Sequence, residues 1–314
     1  MFARNVVKIG NSYYVSIPKK WVESFLKESK TVFINILSNG VIELHPIGHV
    51  KEKKVGKCIK IDFCEGITRH ILGAYLNGYD LIEILHHDNI PDSFLPVLED
   101  LLRRLIGLEV VEEEPRRIVL QCFTNAESGL DLVVKRMDSV TRSMYSDAVR
   151  AWMSGNRALA ESVMRRDDKV DKLYFFAVRN IRKSISDPLL PSEEKLRLLD
   201  LRLVVQSLER IGDLSESLAC SYLKKHRKKP LTSREDYISI EELVRELGEY
   251  QKNLIEIVLS KSWPFNPRES LSKGTALRSS LAEMRDKLPS EHRDVMACLE
   301  KILNELNDIL DLIV

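Results

Sequence analysis

Leu208-Glu209-Arg210-Ile211-Gly212-Asp213 is the stretch on which the fold of this chain turns. Glu209 and Asp213 stand four apart and Glu216 three further on, so a helix presents all three on one face. Val204, Leu208, Ile211, Leu218 and Tyr222 fall on roughly the opposite side, which predicts carboxylates facing outward along a groove with a neighbouring helix. Upstream, Asp167-Asp168-Lys169-Val170-Asp171-Lys172-Leu173 repeats the spacing with Asp167 and Asp171. Two such pairs side by side put a charge of about −4 in one patch, and like charges at this spacing destabilise each other. Something must neutralise them, and two answers stay open. One is a multivalent cation. The other is the set Arg165, Arg166, Lys172, Arg202 and Arg210. Carboxylate-only ligands suit hard cations such as Mg²⁺, Mn²⁺ or Ca²⁺, and bridging carboxylates in helical bundles also hold iron. Gly212 adds to this, because a mid-helix glycine costs ~1 kcal/mol against alanine. Its use predicts tight helix packing behind the acidic face.

Around these motifs the sequence is helical from about residue 128 onward. Amphipathic segments run approximately over 128–163, 167–186, 193–227, 236–262, 269–286 and 291–313. Breaks carry Asp187-Pro188, Pro191-Ser192, Pro230, Pro264, Pro267 and Pro289-Ser290, and Ser192 and Thr232-Ser233 stand as helix starts. Six such helices with short connections make an antiparallel bundle. Leu299-Glu300-Lys301-Ile302-Leu303-Asn304 lines up with 208–213 at an offset of 91. There Glu300 matches Glu209, while the glycine and aspartate positions hold Leu303 and Asn304.

The two acidic motifs together resemble the L-E-R-I-G-D and D-x-x-V-D-x-L segments of PhoU proteins, over about residues 128–226. The resemblance implies a three-helix PhoU repeat over 126–230 and a role in sensing or controlling phosphate uptake. It also implies a divalent or trivalent metal, commonly iron or zinc, at the E-x-x-x-D face. The metal ligands would be Asp167, Asp171, Glu209, Asp213 and Glu216. PhoU proteins usually contain two bundles, so 231–314 is expected to be a degenerate second repeat, with metal at the first only; the alternative is that these helices are an unrelated dimerisation element. A phosphate transporter ATPase or a sensor kinase would be the protein partner.

The N-terminal 50 residues differ in kind. Residues 1–57 hold ten Lys or Arg against four Glu, a net of +6; on a total of +1 the rest of the chain sums to −5. A basic module on an acidic body suggests a polyanion partner at one end. Val6 to Ile9 and Tyr13 to Ile17 read as strands around Gly10-Asn11-Ser12, and Pro18 opens a helix to about Leu26. Thr31 to Leu37 and Val41 to Leu44 then flank Asn39-Gly40, a hairpin signal. About 45 residues bury too little for an independent core, so two copies should complete each other. Val7-Lys8-Ile9-Gly10-Asn11-Ser12-Tyr13-Tyr14-Val15-Ser16-Ile17-Pro18 and Val41 to Pro46 resemble the AbrB/MazE family of swapped-hairpin DNA-binding domains. That resemblance implies a homodimer bound to double-stranded DNA. Lys8, Asn11 and Ser12 would lie on the DNA-facing loop, Arg4 beside it, and Lys19 and Lys20 at the backbone. Ser16 departs from the Arg that MazE-like antitoxins often place two residues before the proline.

Residues 51–125 alternate strand and helix: Cys58–Phe63, Ile67–Leu76, Leu81–Leu85, Phe94–Ile106, Leu108–Val111 and Ile118–Phe123. This predicts a small α/β layer with helices on one face. Adjacent His86 and His87 on a strand would point to opposite faces, so His86-His87-Asp88 is read as a surface turn rather than a metal site. The expected whole is an α+β multidomain chain: a swapped-hairpin β domain, a small α/β layer and an all-α PhoU-like bundle. Its five cysteines include no CxxC pair, and neither a signal-like segment nor a run of ~18 apolar residues occurs, which points to a cytoplasmic protein without membrane insertion. No nucleophile elbow, H-E-x-x-H or Walker A motif occurs, so no enzyme is expected. Two functions remain: a DNA-binding transcriptional regulator with a metal-binding sensor domain, or an adaptor that dimerises through its N-terminus and docks on transport or signalling proteins.

Overall fold

The structure, a computed structural model, describes residues 4–26, 31–36, 42–46, 57–124, 129–187, 190–225, 233–260 and 268–313. It is a mixed α+β chain with small sheets at the N-terminus and a helical remainder. Strands β1 (Val6–Ile9) and β2 (Ser12–Val15) pair antiparallel, with Gly10 at a φ of 62° in the turn between them. Helix α1 (Lys19–Phe25) follows Pro18, which stands at its N-cap. Strands β3 (Val32–Ile36) and β4 (Ile42–Pro46) form a second hairpin; the Asn39-Gly40 signal lies outside the described residues. Each hairpin pairs within itself, and among the described residues nothing covers either face of the first. Val6, Val7, Ile9, Tyr13, Tyr14 and Val15 are all more than half exposed.

The α/β unit runs β5 (Cys58–Asp62), α2 (Ile67–Leu76), β6 (Leu81–Leu85), α3 (Phe94–Arg104), β7 (Leu108–Glu114) and β8 (Arg117–Cys122). Its sheet has the order β5-β6-β8-β7, with β5 and β6 parallel and the other pairs antiparallel. The alternation along β6 explains its two faces. Ile82 and Ile84 are buried with Ile71, Tyr75, Leu98 and Leu120. Glu83 points the other way, to Lys60 at 2.9 Å and Arg117 at 2.5 Å across the neighbouring strands. His86 and His87 fall in the turn after β6, where the His86 ring nitrogen Nδ1 accepts from the Asp88 amide at 3.0 Å.

The bundle comprises α4 (Leu130–Ser154), α5 (Arg157–Ile185), α6 (Ser192–Lys224), α7 (Arg234–Leu259), α8 (Arg268–Lys287) and α9 (Arg293–Leu310), the last preceded by a 3-10 turn at Ser290–His292. The first helix ends earlier than the apolar periodicity suggests. Gly155, at a φ of 72°, turns the chain, and the Asn156 side chain accepts from the Leu159 amide at 3.1 Å as N-cap of α5. Gly155-Asn156 is therefore the break that 128–163 ran through. Ser233 caps α7 by accepting from the Asp236 amide. One apolar core runs through all six helices, with Tyr145, Trp152, Leu208, Ile211, Leu254, Leu299 and Leu306 among its members. Helix α9 lies antiparallel along α6, since Asp294 meets Ser221 and Lys225 while Glu305 meets Arg210. All five cysteines are free; Cys122 and Cys298 are buried and Cys58 and Cys64 exposed. No helix among the described residues is long and apolar enough to cross a membrane.

Helix α5 joins the bundle to the α/β unit. Arg179, 1% exposed, donates to the carbonyls of Tyr75 (2.7 Å) and Tyr79 (2.8 Å) and to Asp80 Oδ1 (2.7 Å). Its guanidinium also lies over the Tyr75 ring at 4.9 Å. Lys183 reaches the same Asp80 oxygen at 2.7 Å, and Arg182 reaches Asn77 at 3.0 Å. Replacing Arg179 by alanine strips a buried turn of its donors and should cost about 3 kcal/mol or more. Arg182→Ala, at an exposed contact, should cost under ~1 kcal/mol. Urea unfolding of the two variants checks this ordering.

Candidate metal centre

Helices α5 and α6 run antiparallel in contact and bring their acidic faces together. One carboxylate oxygen each from Asp167, Asp171 and Asp213 lie within 4.8 Å of one another. Glu209 and Glu216 flank this trio on α6, one turn to either side of Asp213, and both are half-buried. The outward orientation expected from the helical pattern needs correcting. Asp213 is exposed, but Asp167 and Asp171 are half-buried in the seam, and Asp167 Oδ1 is fully buried without a hydrogen-bond partner. Gly212 explains how it gets there. A Cβ at that position would meet Val170 Cγ1 at 3.3 Å and Asp167 Oδ1 at 3.4 Å, so the glycine makes room for the acid.

The electrostatics follow. Burial, then Glu216, Asp171, Asp213 and Asp168, push the Asp167 carboxyl up to about 7. Burial, then Asp213 and Asp171, push Glu209 up to about 7 against the pull of Arg210 and Arg202. Asp171, Asp213 and Glu216 are also raised, burial being the largest cause in each. Three of the five basic side chains nearby have partners outside the trio. Arg166 holds Asp147 at 2.6 Å, Arg202 donates to the Tyr174 hydroxyl at 2.9 Å, and Arg210 faces Glu305 at 3.5 Å. The α/β unit supplies a cation that the sequence pattern does not point to: Arg104, at the end of α3, draws the Asp171 carboxyl down. No spacing rule joins residue 104 to residue 171; only the docking of α3 on α5 does.

Oxygen ligands converging on a buried, unpartnered carboxylate oxygen fit a hard cation. The trio contains no His or Cys, so it suits Mg²⁺, Mn²⁺, Ca²⁺ or iron better than zinc, which favours nitrogen and sulfur. At the other end of the chain, Arg4, Lys8, Asn11, Ser12, Lys19 and Lys20 are all exposed. Lys8 lies 5.9 Å from the Tyr13 ring centroid and Lys19 pairs with Glu23 at 3.5 Å.

The family model of the PhoU domain matches residues 134–221, a segment that lies within α4 to α6 and includes all five acids. Beyond that segment, the chain is 25% identical over 213 residues to a phosphate-specific transport system accessory protein PhoU homolog of Pseudomonas aeruginosa, covering 62% of this chain and 86% of that one. A protein of the same description from Pseudomonas putida is also 25% identical over 213 residues, with 62% and 82% covered.

The raised carboxyls set the sign of a pH dependence. Unfolded, these groups lose their protons near pH 4; folded and metal-free, Asp167 and Glu209 hold them to about 7. Between those values the native state binds more protons than the unfolded one, so stability falls as pH rises. The metal-free protein should melt lower at about pH 7.5 than at about pH 5.5, and Asp167→Asn/Glu209→Gln should flatten the difference. Thermal denaturation in chelator checks both, and a melting temperature that climbs over that range would contradict the assignment.

Proposed function

We propose that this chain is an accessory regulator of phosphate transport, an adaptor whose PhoU domain holds a hard divalent or trivalent cation between α5 and α6. The observation that carries the proposal is the convergence of Asp167, Asp171 and Asp213, with oxygens within 4.8 Å, inside the segment that matches the PhoU family. A bound cation supplies the positive charge that Arg104, Arg202 and Arg210 provide only in part, since Asp167 and Glu209 stay raised despite them. The protein's own part is to hold five acids against their repulsion. Asp167 is fixed by the Gly212 notch, Asp171 is steadied by Arg104, and Glu209 and Glu216 complete the oxygen set. With the seam neutralised, α5 and α6 keep a fixed spacing and present a defined helical face to a transporter ATPase or a sensor kinase.

The relatives' description as transport accessory proteins favours this adaptor over a transcriptional regulator. The N-terminal hairpins then serve self-association. The apolar side chains on both faces of β1 and β2 are uncovered among the described residues, which supports interleaving with a second copy. Exposure of Arg4, Lys8, Asn11, Lys19 and Lys20 on such a dimer favours a second function, duplex DNA binding. Its mark is affinity that drops steeply with salt and is lost in Lys8→Ala/Asn11→Ala.

The primary test is radiolabelled phosphate uptake by cells of the source organism lacking this protein. Uptake should be misregulated, restored by the wild-type chain, and not restored by Asp171→Asn/Asp213→Asn, whose purified form should also have lost its metal by elemental analysis. Uptake indifferent to removal of the protein would refute the regulatory role, and metal retained by the double variant would refute the site.

A further inference from the structure

The second half of the bundle carries the same groove with its charge reversed. At the offset of 91, Glu300, Leu303 and Asn304 on α9 stand where α6 has Glu209, Gly212 and Asp213. Helix α8 faces them antiparallel, as α5 faces α6. Where α5 sets Asp171 against Asp213, α8 sets Arg278 against Asn304, with Nη2 3.4 Å from Oδ1. One groove turn away, Arg285 Nη1 donates to Glu300 Oε1 at 3.1 Å. Leu303, 2% exposed, stands at the position that corresponds to Gly212. A cation site is thereby lost. A cavity of about 240 Å³ remains, with Arg278, Arg285, Glu300 and Asn304 around it and Leu281 and Leu303 as its apolar wall.

We propose that this cavity binds inorganic phosphate without a metal. Each guanidinium has five N–H donors. Arg278 spends one of them on the long contact to Asn304, and Arg285 faces Glu300 and, at 3.6 Å, Asp286. The remaining donors, with the Asn304 amide, match the oxygens of a tetrahedral anion. Glu300 gives the site its selectivity. At neutral pH phosphate carries at least one P–OH, and a carboxylate accepts that proton in a hydrogen bond. Sulfate has no such proton and meets only repulsion at Glu300. Asn304 also borders a neighbouring groove of about 330 Å³ in which Arg210 and Lys301 are balanced by Asp213 and Glu305, so the attraction comes from Arg278 and Arg285. This site goes beyond the cation seam and does not depend on it, so the same domain pair would carry one cation-binding and one anion-binding repeat.

Isothermal titration of the full chain with sodium phosphate, in chelator, tests the site, with sodium sulfate as the parallel arm. Saturable phosphate binding is expected, with sulfate weaker by about tenfold or more. Arg278→Ala/Arg285→Ala should weaken phosphate by about tenfold or more, and Glu300→Gln should bring phosphate and sulfate together. Asn304→Asp, nearly isosteric, should remove binding by restoring the acid of the first repeat. Asp171→Asn should leave it unchanged, which separates this site from the cation seam. Absence of saturable heat, equal affinity for sulfate, or phosphate binding that survives both the arginine pair and Asn304→Asp would overturn the proposal.

Discussion

Crowded carboxylates in the α5–α6 seam are the constraint on which the rest of the bundle depends. Asp167, Asp171 and Asp213 bring an oxygen each within 4.8 Å of one another, Glu209 and Glu216 flank them, and Asp167 Oδ1 is buried without a hydrogen-bond partner. Burial and repulsion together make the charged state unfavourable enough to push two carboxyls to about 7. A fold rarely keeps such an arrangement for stability, because removing the repulsion would strengthen it. The apolar packing of Val170, Leu208 and Ile211 behind the seam, each buried, holds the two helices close despite the repulsion. Gly212 sits at the point of closest approach, where any side chain would press on Val170 and Asp167.

The seam is tied mechanically to the rest of the molecule through α5. That single helix carries Asp167 and Asp171 in its middle and Arg179, Arg182 and Lys183 two to four turns further on. The latter three hold the Tyr75–Asp80 turn of the α/β unit, and Arg104 of that unit returns to Asp171. The acidic seam and the α/β unit thus share helix α5, through its contacts to the Tyr75–Asp80 turn and the longer-range attraction of Arg104 for Asp171. Between α8 and α9, Glu300 is instead paired with Arg285 and Asn304 accepts from Arg278.

Much of this was legible in the sequence, for reasons that can be named. Helices α2 and strands β5 and β6 begin and end near the residues that period and turn chemistry indicate, because Gly66, Gly78 and the apolar alternation leave few other choices. The four-residue spacing of Glu209 with Asp213 and of Asp167 with Asp171 shows which acids share a face. It does not show how deep the seam is, because depth depends on Gly212 admitting its neighbour. The Gly155-Asn156 break was hidden by continuous apolar periodicity on both sides. Arg179 carries no local signal at all; it reads as one more charge on a basic helix end, and only the docked α/β unit turns it into a buried anchor.

Anomalous diffraction from crystals of the full chain grown with Mn²⁺ examines the central claim most directly. A peak between α5 and α6, with oxygens of Asp167, Asp171 and Asp213 at roughly 2.1–2.4 Å, is the result the account requires. A seam without such a peak, its carboxylates instead bridged by arginines drawn in from the surface, would contradict it.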